Sequence, residues 1–520
     1  MGTIYGGYHD AADFDRRPFH TIITVLMLSY FEGFKSHFID DQYMIPESGN
    51  GIPDFLDETL WGLRLWEHLQ LTDGGVMAGT ETSRHPGYGL VNAATDNLVY
   101  GTYDVMEKVT IECTGLFAHA ARLVRPYDSG RADSLLARAE RGWSRIVADG
   151  MTGNIAVLMY AALQLYLATA DGNAETDMSN DYHVKFREYA ARIFPGGSWP
   201  DQYLPGNTAA NVKTGHFISY LLTAFAKDAD LADAMRTAIF NGADNGGYMG
   251  WKPDAYPYPM GVTKFMGWGA ATAQGRYADV YCFAWLLTDD TGKKQNYYNA
   301  VGALSDYALG LNPLGQSYVT GLGSVQPVSP LHLDSYYTKY GRGAHEGKPI
   351  GNVPGIVVYG PTEGRSGADY QRNISDKIYP VWDSIAPQRR WSDGWTLVNS
   401  NEFTTWETIV WNNCMFGFLY NADGASNENA VRHLPVQRKN KGNKRISVWR
   451  NNGTLYLRRG HGTGVPITVT LIDLKGRTLR HLSGIENEIA VDVRDMAAGT
   501  CLMKVRQSGQ TDMARVVIQR

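Results

Sequence analysis

The 520-residue chain is poor in cysteine, modest in charge and free of long apolar runs, and each shortage excludes something. Its four cysteines, Cys113, Cys282, Cys414 and Cys501, stand far apart. That spacing excludes a CxxC-type metal or redox motif and gives no support to a disulfide scaffold. The first three fall in apolar helical patterns and read as buried thiols. Charged residues make up 19% of the chain and the net charge is −5, which leaves no electrostatic case for nucleic acid. No stretch of 18 apolar residues occurs, so no membrane-spanning helix is expected. Met1, Gly2, Thr3 and Ile4 do not open a signal peptide.

Aromatics and glycine are what the chain has in quantity: 31 tyrosines, 13 tryptophans and 57 glycines. Rings with little charge around them suit a neutral, flat-faced ligand, although most such rings fill cores. The length suggests one large domain with a smaller one. Before residue 425 apolar residues recur every three to four positions in about 11 segments. These are 17–34, 53–70, 111–124, 131–148, 154–170, 179–194, 215–228, 229–241, 268–288, 294–310 and 406–421. Trp61 and Trp66, on the second, read as core. Residues 242–267 and 311–395 are long, irregular and aromatic, the kind of loop that carries function on a helical scaffold. Residues 429–445 are rich in Lys and Arg and read as a solvated linker. From 446 to 520 the pattern turns to short alternating strands with turns such as Asn452-Gly453, which predicts a small all-β sandwich.

The chain opens on Gly6-Gly7-Tyr8-His9-Asp10-Ala11-Ala12-Asp13. Two carboxylates three residues apart fall on one face of a helix. In a loop, the glycine pair lets the backbone turn and bring both to one spot. Two acids sharing a site perturb one another, and one can serve as a base for water. The alternative is that Asp13 only caps the helix that follows.

Four later segments accompany it: Ile45 to Glu58 (IPESGNGIPDFLDE), Asp73-Gly74-Gly75-Val76, Ala308 to Gly323 (ALGLNPLGQSYVTGLG) and Val398-Asn399-Ser400-Asn401-Glu402. Together with the opening stretch, GGYHDAAD against GGWYDAGD, they resemble glycoside hydrolase family 9, in the family's order, across residues 5–421. The resemblance implies an (α/α)6 barrel with its cleft at one end. It also implies inverting hydrolysis: Asp13 as base, Asp10 holding the water, Glu402 as general acid. Inversion needs room for that water, so the acid and base carboxyls stand roughly 6.5–9.5 Å apart. Nearby Trp391 and Trp395 supply an apolar setting that would raise the acid's pKa. The family needs no cofactor and admits structural calcium. Its helix before the GGWYDAGD segment has no counterpart here, and the expectation is that the first helix and a signal peptide were lost by truncation.

The chain departs from the family at the cleft. Where Pro-His-His-Arg is usual, it has Pro330-Leu331-His332-Leu333, with Arg342 a little later as the replacement cation. His332 and Arg342 are therefore expected to bind sugar. Trp268, Trp251 and Tyr318 are the candidate stacking rings. In the C-terminal part, residues 469–477, 491–500 and 504–506 resemble the sorting domain of type IX secretion, which implies export to the cell surface or medium. The expected substrate is a plant-type β-1,4-glucan cut internally. The alternatives are an exo-acting β-glucosidase or glucosaminidase of the same family, marked by a loop from 76–104 or 325–350 across the cleft, and a non-catalytic glycan binder or inactive fragment.

Overall fold

The computed structural model describes residues 3–9, 14–43, 45–83, 96–153, 155–193, 218–245, 278–332, 335, 351–362, 379–394, 398–405, 408 and 414–422. Toward the C-terminus it describes 432–434, 446–451, 454–459, 467–473, 477–484, 488–493, 499–507 and 510–518. The chain divides into two compact units, Met1–Leu419 and Tyr420–Arg520.

The first unit is mostly helical. Its elements are α1 (Thr21–Gly33), α2 (Asp54–Leu69), α3 (Glu107–Val124), α4 (Ser129–Ala148), α5 (Ile155–Thr169), α6 (Ala174–Ser179), α7 (Asp181–Ile193), α8 (Ala229–Asn245), α9 (Ala278–Leu287), α10 (Thr291–Leu309), α11 (Val398–Asn401) and α12 (Cys414–Ala422). Helices α1 and α5 are apolar on nearly all sides and lie buried, whereas α4 shows water its polar face. Helix α3 packs against α1, α2, α4 and α5. It comes close to two of them because glycine removes the side chain at the contact. A Cβ on Gly115 would stand 2.4 Å from Tyr160 Cδ1, and one on Gly142 would stand 2.2 Å from Thr114 Oγ1.

Polar groups are buried at this packing centre, and they are paired. Glu32 of α1 receives Arg122 Nη2 at 2.8 Å, His119 Nε2 at 3.0 Å and Ser219 Oγ at 2.7 Å. Arg122 also donates to Gln164 of α5 at 2.9 Å, and Tyr160 OH lies 3.0 Å from His119 Nδ1. Burial pushes the Glu32 carboxyl up, but Arg122 and His119 outweigh it and hold the group well below the usual carboxylate range. Burial pushes His119 down to about 4, against the pull of Glu32.

Several helix ends differ from the periodicity. Helices α4 and α10 start before 131 and 294 because Asp128 and Asp290 cap them, accepting from Arg131 N at 2.8 Å and Lys293 N at 3.0 Å. The segment expected to run from 215 to 228 is helical over its described residues only to 222. Lys227 Nζ turns back there to the carbonyls of Leu221 and Thr223, at 3.3 and 2.8 Å. Asn180 separates α6 from α7, and its side chain accepts from Tyr182 N at 3.0 Å. Trp66 is buried, as expected of a core residue, but Trp61 is 38% exposed and packs beside Tyr5. Cys113 and Cys282 are buried free thiols. Nothing is described of the Cys414 and Cys501 side chains.

A two-stranded antiparallel pair, β1 (Thr80–Glu81) and β2 (Gly101–Thr102), lies between α2 and α3. The second unit holds β3 (Arg432–Leu434), β4 (Ile446–Asn451), β5 (Thr454–Arg459), β6 (Ile467–Asp473), β7 (Thr478–Gly484), β8 (Glu488–Asp492), β9 (Gly499–Gln507) and β10 (Gln510–Ile518). They form two antiparallel four-stranded sheets, in the orders β10-β9-β6-β7 and β3-β4-β5-β8. Val469, Leu471, Met503 and Val505 of one sheet and Ile489 and Val491 of the other are buried, every second residue along each strand. Two strands escaped the sequence pattern. β3 lies within the basic 429–445 stretch and pairs with β4, and β7 is too polar to show apolar alternation.

Candidate active site

Glu402 follows α11 directly, and its main chain is fixed from several directions. Tyr359 N donates to Glu402 O at 2.9 Å and Gly360 N to Ser400 O at 2.8 Å. Leu331 N donates to Asn401 O at 2.8 Å, and the Trp391 indole N–H reaches Ser400 O at 3.1 Å. The Glu402 side chain is partly exposed. Asn401 beside it is fully buried; its Nδ2 donates to Ser329 O and, at 3.2 Å, to Asp393 Oδ1. Asp393 also accepts from Val328 N at 2.6 Å and Ser329 N at 2.9 Å. One carboxylate therefore ties the 327–332 strap to the segment that carries Glu402.

The strap delivers His332. Its Nδ1 lies 2.9 Å from Ser335 Oγ and accepts from Ser335 N at 3.2 Å, which leaves the ring proton on Nε2. Burial, with a smaller contribution from His9, pushes this imidazole down to about 3. It is a neutral donor at any ordinary pH, suited to a sugar hydroxyl. Its ring meets Phe403 edge-on, with centroids 5.1 Å apart.

The opening motif is held on both sides of residues 10–13. Ahead of them, Gly7 N donates to Trp61 O at 3.0 Å. The buried Tyr8 hydroxyl donates to Glu58 O at 2.9 Å and lies 3.1 Å from Glu58 Oε1. Behind them, Phe14 is buried and meets the His9 ring edge-on at 5.5 Å. Thr405 Oγ1 donates to His9 O at 2.7 Å. Thr405, three residues after Glu402, and His9 thus meet across 396 residues of chain.

Asp10, Asp13, Arg342, Trp268 and Trp251 themselves lie outside the described residues. Tyr318 does not serve as a stacking ring: it is fully buried, packed with Tyr307, Val319, Val357 and Val358 against Trp391, because its segment runs as core beneath the strap. Beside the strap opens a cavity of about 590 Å³ lined by Gly321, Val325, Gln326, Pro327, Val328 and Asn352 among others. Sequence reasoning missed Asp393, His9 and Thr405. His9 stood inside the quoted motif, whereas Asp393 carried no local signal.

Among the described residues no three His, Cys, Asp or Glu side chains are grouped to hold a metal ion. The 40–57 loop is acidic but organises its own donors. Asp40 accepts from Gly49 N and Gly51 N at 2.6 and 2.7 Å, and Asp54 accepts from Tyr43 N at 2.6 Å and Ser48 Oγ at 2.9 Å. Asp57 differs: its Oδ2 is buried without a hydrogen-bond partner, and burial first, then neighbouring carboxylates, push it up to about 6.

Comparison with known proteins places the chain in a family. The family model described as Glycosyl hydrolase family 9 matches residues 2–419. The chain belongs to that family. A cellodextrinase of Butyrivibrio fibrisolvens is 25% identical over 349 residues, 62% of this chain and 60% of that protein. The xyloglucan-specific endo-beta-1,4-glucanase BoGH9A of Bacteroides ovatus is 25% identical over 406 residues, 72% of this chain and 64% of that protein. Endoglucanase D of Acetivibrio thermocellus is 23% identical over 337 residues, 62% of this chain and 51% of that protein. The chain thus spans less than two thirds of the length of each of these relatives. The crystal structure of a metagenome-derived family 9 endoglucanase superposes with a TM-score of 0.61 at 26% identity, covering 79% of this chain and 69% of that one. No described helix is long and apolar enough to cross a membrane.

Proposed function

We propose that the protein hydrolyses β-1,4-glycosidic bonds of plant-type β-glucans with inversion, on an (α/α)6 barrel. Glu402 protonates the leaving oxygen, Asp13 deprotonates a water on the opposite face, and Asp10 helps to hold that water. The observation that supports this reading is the Thr405–His9 hydrogen bond, which joins the residue before Asp10 to one three residues after Glu402. His332, neutral and donating from Nε2, binds a sugar hydroxyl, and Arg342, Trp268 and Trp251 complete the sugar contacts. Internal cleavage is the first reading. The similarity to a cellodextrinase favours a second, in which short oligomers are cut from one end.

No cofactor takes part. Structural calcium is admitted at the 40–57 loop, where the buried Asp57 Oδ2 has no hydrogen-bond partner, and chelation lowering the melting temperature would support it. The C-terminal unit is proposed as a sorting domain for secretion, so that a chain ending at Leu419 would be retained by the secreting cell.

The deciding experiment follows products by NMR on cellohexaose and a mixed-linkage β-glucan, with Asp13→Ala and Glu402→Ala as controls. Fresh α-anomer from internal bonds, lost in both variants, is expected. Monosaccharide released alone moves the protein to exo action. A folded chain that yields no product from any β-glucan or chitosan oligomer leaves a glycan binder or inactive fragment.

A further inference from the structure

Helix α2 shows water a face that the hydrolytic reaction does not account for. Trp61, Arg64 and His68 follow one another along it at spacings of three and four, so they share one side. Leu63 and Trp66, turned the other way, are buried, whereas Trp61 is 38% exposed. Tyr5, itself 43% exposed, lies across that face. Its ring centroid stands 4.6 Å from that of His68 and 6.2 Å from that of Trp61, and Arg64 Cζ lies 5.9 Å from it. The glycine pair puts the tyrosine there. Gly6 and Gly7 have φ of +81° and +78°, and a Cβ on Gly6 would stand 2.8 Å from Arg64 Cβ and 2.9 Å from Trp61 O. Gly7 N then fastens the segment to Trp61 O at 3.0 Å.

Two large rings held together in water, with a guanidinium and an imidazole beside them, form a recognition surface rather than scattered apolar exposure. Both rings are mounted on a helix or a pinned segment, so little ordering is left for a ligand to supply. Size decides the occupant. Two rings exposed to this extent offer on the order of 150 Å², against about 800 Å² a side for a stable protein interface. That footprint suits a single sugar chain. A pyranose lays its C–H face on an aromatic face, and Arg64 and His68 stand beside the rings as donors for its hydroxyls.

We propose that Tyr5, Trp61, Arg64 and His68 form a second glycan-binding site, separate from the residues assigned to hydrolysis, that holds a β-glucan chain. The choice of glycan rests on the reading of the protein as a β-glucan hydrolase. The site tethers a polymer and so raises its concentration at the enzyme, which a short oligomer bound at the hydrolytic site does not need.

Soluble barley β-glucan is the probe, in native affinity electrophoresis and in steady-state kinetics beside cellohexaose. Trp61→Ala and Tyr5→Ala should each weaken retardation by the glucan about tenfold, the weight of one well-used aromatic contact. Each should also raise KM on the polymer and leave kcat and KM on cellohexaose unchanged. Circular dichroism checks folding, and Tyr5→Ala, ahead of every helix, keeps the test open should Trp61→Ala fail to fold. Retardation and polymer KM equal to wild type in both variants overturn the proposal, and a lowered melting temperature alongside them makes the rings a packing feature. A wild-type chain that the glucan does not retard overturns it as well. So does a concentration-dependent dimer in sedimentation that Trp61→Ala abolishes with retardation intact, which gives the face to a second copy. The hydrolytic reading fails separately. A wild-type chain retarded through Trp61 that cleaves nothing keeps this site and loses that reading, and cleavage with unchanged retardation in the variants does the reverse.

Discussion

The helical region from α1 to α5 and the loop region between residues 311 and 405 are ordered by different means. In the first, burial does the work: α1, α3 and α5 are surrounded by apolar neighbours, and the buried Glu32, His119, Arg122 and Gln164 side chains pair with one another. Among the described residues of the second there is little regular structure, and order comes from individual main-chain groups each given a named partner. Asp393 takes two N–H groups of the strap and the Asn401 amide, while Trp391, Leu331, Tyr359 and Gly360 each fix one atom of the segment that carries Glu402. Hydrophobic burial is non-directional and makes a rigid body. Hydrogen bonds to a loop are directional and can aim one side chain.

The contrast can be broken first at Glu402. Glu402→Gln should lower kcat on cellohexaose by about a thousandfold, within the range for losing a general acid, and leave the melting temperature nearly unchanged. The opposite behaviour is expected of Glu32→Ala, which strands the Arg122 guanidinium among α1, α3 and α5. Denaturant unfolding should register a loss of about 3–5 kcal/mol, with kcat of the folded fraction unaltered. Asn401→Ala stands between the two. It leaves Ser329 O without its donor, costing about 1–3 kcal/mol, and should also lower kcat about tenfold because the strap and the acid lose their common anchor.

A further prediction sharpens the comparison through pH. His119 titrates near 6.5 when unfolded, and burial lowers it to about 4 in the native protein. Between those values the unfolded state binds more protons. The contribution of His119 is complete above about pH 6.5 and is lost as pH falls toward 4, by up to about 1.4 kcal/mol per pH unit. Denaturant titrations across that window should show the slope, and His119→Gln should flatten it. His332, lowered to about 3, obeys the same linkage, so His332→Gln should also flatten the slope, and the double variant should flatten it most.

The helices and the acid's segment were readable from sequence for separate reasons. Apolar recurrence marks buried helices such as α1 and α5, whose burial nothing else can satisfy. It misses the first turns of α4 and α10, which Asp128 and Asp290 set by hydrogen bonding. It also misreads Trp61, because an aromatic on a helix carries no mark of which side faces water. Glu402, His332 and the opening motif stood out as segments. Tyr318 shared such a segment and proved to be core, since a motif tells which residues recur together and not which way each ring points. Asp393 acts on Val328 and Ser329 across 65 and 64 residues, a separation at which no periodicity survives.

The Thr405–His9 bond also bears on when the fold of the first unit can be completed. Its partners are 396 residues apart, so His9 is joined to Thr405 only when nearly the whole helical unit has been made. At common rates of synthesis that is a wait of roughly 20–80 s. Until then the nascent chain cannot make this contact, and a chain stopped anywhere before residue 402 lacks the proposed acid, Glu402, entirely.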